Sequence, residues 1–250
     1  MADWSVRRIH AIQAITGASR YLEVGVYGGG TLLNIQLPYK DAVDPAFRFE
    51  TATHATESVR FFPMHSDQFF ASPQAHSRYD IIFLDGLHTF EQTFRDFLAT
   101  LPLSHERTVW LIDDTVPCDA YSALPDQDHS YRQRRMAGVP GDPWHGDVYK
   151  VVYAIHDYCP NLNFATIADQ GNPQTLVWRQ PRPAFAPAFK GLEAIARTGY
   201  FDMESFSAAM RYSSEESALL QLASALQHAP EQPGSGGLSS DLHSRSQRIF

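Results

Sequence analysis

Two short apolar runs in this 250-residue chain end in acids: Ile81-Ile82-Phe83-Leu84 leads into Asp85-Gly86-Leu87-His88, and Trp110-Leu111-Ile112 leads into Asp113-Asp114. As parallel neighbours in one sheet, the two runs would deliver all three carboxylates to the same edge. Three converging carboxylates repel one another unless a cation sits among them or protons are taken up. Oxygen-only ligands from Asp favour a hard ion such as Mg²⁺, with water and substrate oxygens completing an octahedron. For Asp113 or Asp114 taken singly, a cap on a following turn is the plainer reading. With Asp85 in the set, Asp85, Asp113 and Asp114 become candidate metal ligands.

A second group of residues points to nucleotide chemistry. The run from Tyr21 to Val26 enters Glu23-Val24-Gly25-Val26-Tyr27-Gly28-Gly29-Gly30, which places an acid and glycines where a doubly wound sheet binds nucleotides, at the carboxyl ends of its strands. Glycine suits such a place because the backbone turns sharply and a ligand can pack on it without an intervening Cβ. A plain strand-to-helix turn would need the same residues. Asp44 follows about 20 residues on, the position from which a carboxylate accepts both ribose hydroxyls.

These residues need a parallel sheet to position them, and the hydrophobic pattern supplies one. Strands are expected at Tyr21–Val26, Ala42–Asp44, Val59–Met64, Tyr79–Leu84 and Thr108–Ile112, mostly free of internal polar residues, as strands covered on both faces should be. Ile9, Ile12 and Ile15 predict an N-terminal helix stopped at Gly17. Another helix is expected from about Thr31 to Gln36. Phe90, Phe94, Phe97 and Leu98 share one helical face, and a further helix is expected over Asp147–Tyr158. Strand, helix, strand is the unit of a parallel sheet. Asn163–Ile167 and Thr175–Trp178, joined by Gln170-Gly171-Asn172-Pro173, read as an antiparallel hairpin.

The spacing Glu23-x-Gly25-x-x-x-Gly29 differs from the dinucleotide fingerprint and resembles motif I of the class I S-adenosylmethionine-dependent methyltransferases, over roughly Ser19 to Gln180. That resemblance implies a Rossmann-like α/β fold of seven strands, mostly parallel with a terminal antiparallel hairpin and helices on both faces. It implies that the loop of Glu23, Gly25, Tyr27 and Gly29 contacts the methionine part of S-adenosyl-L-methionine and that Asp44 holds the ribose. Ser66 and Asp67 would approach the adenine, although helix capping by the same side chains is an equal alternative.

The acidic strand ends also resemble those of the cation-dependent O-methyltransferases of the catechol and caffeoyl-coenzyme A type, and still more the small-molecule enzymes related to the macrolide-sugar methyltransferases. In the former an acid after strand four is followed three residues later by a lysine base, and strand five ends in Asp-Asn. Here Asp85 matches the first acid, Asp113 the second, His88 stands at the lysine position and Asp114 replaces the asparagine. The resemblance implies transfer of a methyl group to a hydroxyl oxygen of a small molecule such as a natural product or sugar. Asp85 would serve both cofactor and metal, a divalent cation such as Mg²⁺ would lower the acceptor pKa, and His88 would be a base titrating near neutrality.

Composition narrows the alternatives. The formal net charge is -8 and no basic cluster stands out, so the electrostatic term that drives nucleic-acid and anionic-membrane binding is missing. With no apolar run of roughly 18 residues and a charged opening, the chain reads as cytoplasmic. Cys118 and Cys159 are in no ligand-like spacing and read as free thiols. Residues 1–180 are expected to form the cofactor-binding domain. An aperiodic insertion at 115–146 reads as a lid over the acceptor, with Trp144 and His145 as pocket residues. Residues 181–229 read as appended helices that either pack on the parent sheet or build a homo-oligomer contact, and 230–250 as a flexible tail. Two other classes remain open: a metal-dependent oxidative or hydrolytic enzyme on this fold, and a non-catalytic binding module.

Overall fold

Alternation along the strands splits the interior into two layers. The computed structural model describes residues 4–183 and 185–227; the tail expected at 230–250 lies outside the described residues. Helix α1 (Trp4–Thr16) stops at Gly17, whose φ of +70° lets its N–H donate to the Gln13 carbonyl at 2.8 Å. Five parallel strands follow in the chain: β1 (Arg20–Val24), β2 (Tyr39–Val43), β3 (Val59–Phe62), β4 (Ile81–Leu84) and β5 (Val109–Ile112). Each lies within a residue or three of its expected place. Helices α2 (Ser66–Phe70) and α3 (Phe90–Thr100) flank β4 in sequence.

The sheet continues through β6 (Leu162–Ile167) and β7 (Gln174–Arg179), an antiparallel hairpin inserted so that β7 pairs antiparallel with β5. The order is β3-β2-β1-β4-β5-β7-β6-β8. The last member, β8 (Tyr212–Ser213), adds an eighth strand to the seven expected by running parallel to β6. Because side chains alternate, Leu22, Ile82, Trp110 and Val177 face a layer built by α3 and α5 (Tyr149–Tyr158). Tyr21, Ile81, Leu111 and Trp178 face α1 and α8 (Glu215–Gln227).

Three expectations change. Thr31–Gln36 is not a helix but a single helical turn, with Leu33 N–H donating to Gly29 and Ile35 N–H to Thr31, so β1 and β2 are joined by a loop. The insertion 115–146 contains a helix, α4 (Gln127–Met136), capped by Asp126, whose carboxylate accepts from the His129 N–H at 2.6 Å. It escapes a periodicity search because its buried residues are Ser130 and Arg134 rather than apolar ones. Short α2 was also not anticipated. Between α5 and α8 lie α6 (Leu192–Arg197) and α7 (Ser207–Met210). Met203, Met210, Leu222 and Leu226 are buried within the chain, whereas Phe201 and Leu220 are exposed. Among the described residues no helix is long and apolar enough to cross a membrane.

Candidate active site

Parallel pairing puts the ends of β1, β2, β4 and β5 at one edge, and their loops interlock there. Gly25 has φ +87°, and a Cβ on it would overlap the backbone carbonyl of Asp85. Its N–H donates to Val43 O at 2.9 Å, and the Asp85 N–H donates to Val24 O at 2.8 Å. The first glycine of the motif is thus required by contact between two loops. At Gly29, φ +76°, a Cβ would press on Leu33 and Phe49, while Tyr27 takes φ 45° and projects its ring outward, 70% exposed.

Asp44 is the buried pin of this loop. One carboxylate oxygen accepts from Val26 N–H at 2.9 Å and Tyr27 N–H at 2.8 Å, and the other accepts from Ala46 N–H at 2.7 Å. A carboxylate has about four acceptor positions, so one remains on the second oxygen for a ribose hydroxyl. Glu23 is sealed beneath the loop: it is 1% exposed and accepts from the Tyr21 hydroxyl at 2.6 Å. Its carboxylate is therefore a support of the loop, and the structure does not bring it to the surface of the cleft.

Ser66 and Asp67 occupy the first turn of α2, but neither is the cap residue, which is His65. Gln92 Nε2 donates to Ser66 Oγ at 3.1 Å and to Asp67 at 3.2 Å, and Arg95 pairs with Asp67 at 3.4 Å. The same Gln92 nitrogen donates to Asp96 at 2.9 Å. Burial pushes the Asp96 carboxyl up to about 6, against its bonds with Ser66 and Gln92. Sequence reasoning missed Asp96, since an acid within an amphipathic helix carries no spacing signal.

His88, Asp85 and Asp114 form the charged centre. His88 Nε2 lies 3.2 Å from Asp85 Oδ1, and Nδ1 lies 3.0 Å from Asp114 Oδ2. Burial alone would lower this imidazole, but the bonds with Asp114 and Asp85 outweigh it and push it up to about 11. The two acids that flank the ring thus shift it upward from the expected titration near neutrality. Asp114 adopts left-handed backbone, φ 56°, a conformation that costs on the order of 1–3 kcal/mol and that the surroundings must hold.

Asp113 bonds toward the β6–β7 hairpin as well as toward Asp85. Its Oδ1 accepts from Gln174 Nε2 at 3.0 Å, from the Asn172 amide and from the Asp114 N–H at 3.0 Å. Burial and the charges of Asp85 and Asp114 drive its carboxyl well above the usual range, and burial raises Asp85 as well. The three acids reach one edge as expected, and Asp85 and Asp113 are also within hydrogen-bond reach of each other. Among the described residues no group of three or more acids, histidines or cysteines is arranged to hold a metal ion. The expected Asp85, Asp113 and Asp114 centre does not fit a cation in this arrangement, because the His88 ring lies between two of its members.

The 115–146 segment closes over His88. The Trp144 ring stacks on His88 at 5.1 Å between centroids, and its indole N–H donates to Leu124 O at 2.8 Å. His145 Nε2 lies 3.9 Å from Asp114, and its buried Nδ1 has no hydrogen-bond partner. Within the lid, buried Arg134 forks onto Asp119, which also accepts from the N–H groups of Tyr121 and Ser122. Internal bonds of this kind order a segment that lacks apolar periodicity. Beside it, a cavity of about 460 Å³ is lined by Leu87, Phe90, Gln92, Arg95, Pro125 and Ala196, among others.

Residues 22–115, spanning the glycine loop to the residue after Asp114, match the family described as "Methyltransferase domain". Over that region the chain is similar to methyltransferase domains. The methyltransferase fold extends beyond it. The O-methyltransferase TomG from Streptomyces achromogenes, involved in tomaymycin synthesis and solved in complex with SAM, superposes with a TM-score of 0.50 at 15% identity, over 72% of this chain and 81% of that one. Cofactor-bound Rv0187 from MTB superposes with a TM-score of 0.50 at 14% identity, over 73% and 82%. No match was found among curated proteins. The two solved structures share the fold of this chain, a mostly parallel sheet ending in an antiparallel hairpin.

Proposed function

We propose that this methyltransferase transfers the methyl group of S-adenosyl-L-methionine to a hydroxyl oxygen of a small polar molecule held under the 115–146 lid. The observation that carries the reading is the His88 ring, fixed between Asp85 and Asp114 at the edge where the Gly25 loop meets β4. Gly25 and Gly29 in left-handed backbone and the spare acceptor position on Asp44 fit the cofactor. When bound there, S-adenosylmethionine supplies an electrophilic methyl group on sulfur.

The remaining work falls to side chains. Tyr27 and the loop N–H groups line the methionine part, with Glu23 supporting them from below. Ser66, Asp67 and Gln92 line the adenine side. Trp144 and His88 exclude water from the reacting centre, which strengthens every charge interaction within it. His88 can donate a hydrogen bond to an acceptor oxygen once that oxygen displaces one of its two carboxylate partners. To act as a base the ring must first give up a proton to a carboxylate partner such as Asp85, after which it takes the proton of the acceptor hydroxyl.

No step is assigned to a divalent cation. In this reading residues 1–180 carry the transfer site and residues 181–229 support it. A net charge of -8 fits a small-molecule acceptor better than nucleic acid. The test is a calorimetric titration of S-adenosylmethionine, with and without Mg²⁺, followed by a panel of hydroxylated metabolites. Saturable binding with methyl transfer to oxygen is expected; absence of binding under both conditions would reject the reading.

A further inference from the structure

Arg8 lies on α1, outside the matched methyltransferase region, and is completely buried. Its guanidinium donates from Nε to Glu215 at 2.9 Å, from one terminal nitrogen to Gln174 Oε1 at 2.8 Å and to the Asn172 carbonyl, and from the other to the Gln170 carbonyl at 2.6 Å. Two of these four acceptors belong to the β6–β7 turn and a third, Gln174, is the first residue of β7. Ring contact adds to the hold, since a Cβ on Gly171 would run into Trp4 of α1. A buried guanidinium is costly unless its donors are satisfied, and here α8 and the turn satisfy them.

The turn is also what grips Asp113. Gln174 is fully buried, and its two amide ends do different work. Oε1 faces Arg8, so Nε2 must face the other way, where it donates to Asp113 at 3.0 Å and to Ser5 Oγ at 2.8 Å. Arginine can only donate and a carboxylate can only accept. The amide between them therefore has one allowed orientation. Flipped, it would set N–H against guanidinium and oxygen against carboxylate. Asn172, whose own carbonyl is held by Arg8, presents its side-chain amide to the same Asp113 oxygen.

We infer that Arg8 is a positioning residue of the transfer site, acting through Gln174 and Asn172 to hold the Asp113 carboxylate. The inference rests on the proposed transfer site around His88, which Asp113 reaches by holding the N–H of Asp114, the partner of His88. It makes α1 and α8 part of the site: they fix Asp113, whose Oδ1 holds the Asp114 N–H beneath the contact of Asp114 with His88.

The test uses the full chain, labelled with ¹⁵N, and S-adenosylmethionine as probe. The Asp114 N–H, bonded to Asp113 Oδ1, reports that carboxylate, and the Gly25 N–H, bonded to Val43, serves as an internal control. Arg8→Lys is expected to move the Asp114 amide signal and to speed exchange of the Gln174 side-chain protons, with the Gly25 signal unmoved and cofactor affinity within about twofold of wild type. Gln174→Glu retains the contact with Arg8 and removes the donor to Asp113, so it should give the same Asp114 shift even if Arg8→Lys does not fold. An unmoved Asp114 signal in the folded variants overturns the inference. So does a shift of Gly25 as large as that of Asp114, which would mark a purely structural role. Failure of the functional proposal is separately visible as lack of S-adenosylmethionine binding by the wild type.

Discussion

Gly146 and His88 meet backbone to backbone: with φ +60° at Gly146, a Cβ there would overlap the His88 carbonyl oxygen. The 115–146 segment thus returns to the sheet by resting on His88. Gly146→Ala would add this overlap to the cost of left-handed backbone. The expected result is a loss of about 2–4 kcal/mol in stability and a lid displaced from His88, measured by urea unfolding and by quenching of Trp144 fluorescence.

Removing the imidazole tests the centre directly. In His88→Ala, Asp85 and Asp114 lose the cation between them, while Asp44 and the glycine loop are untouched. Methyl transfer is expected to fall by about 10²-fold or more, with S-adenosylmethionine affinity changed only a few-fold. A variant as active as wild type would remove His88 from the mechanism.

The lid should respond to ligand. Trp144 holds it through its stack on His88 and its bond to Leu124, so Trp144→Ala is expected to hasten protease cleavage within 121–146. In the wild type, cofactor and acceptor together should slow that cleavage. Equal rates with and without both ligands would show that 115–146 is not a lid.

Far from the site, Asp80 carries an acid-sensitive share of stability. Burial would raise this carboxyl, but His105 at 2.9 Å and the N–H groups of Ser19 and Arg20, both at 2.8 Å, hold it at about 2. A carboxyl whose folded value lies below its unfolded one, about 3.9, stabilises the fold above that pH. The contribution is lost as pH falls from about 4 toward 2. Asp80→Asn should cost about 1–3 kcal/mol at pH 7 and flatten the acid limb between those values, as read by urea melts at several pH values.

Much of this protein could be read along the chain because parallel strands are short, apolar and end where polarity returns. Leu84 before Asp85 and Ile112 before Asp113 mark strand ends, and parallel neighbours necessarily present those ends at one edge. The glycine loop, Asp44, the hairpin around Gly171 and the helix over Phe90–Thr100 are local features of the same kind. Helix α4 was not legible, because it buries Ser130 and Arg134 through bonds to partners elsewhere in the lid rather than through an apolar stripe.

What the sequence by itself determined is which residues arrive at the edge. Where their side chains turn was decided by the tertiary structure. Asp113 turns to Gln174 and Asn172, held in turn by Arg8, and Asp114 turns to His88 under Trp144. Those partners lie on other strands, helices and loops, and a carboxylate takes the rotamer that its donors and neighbouring charges favour. Spacing alone counted three acids at one edge and called for a cation among them or the uptake of protons; packing put the His88 ring between two of them and amides against the third.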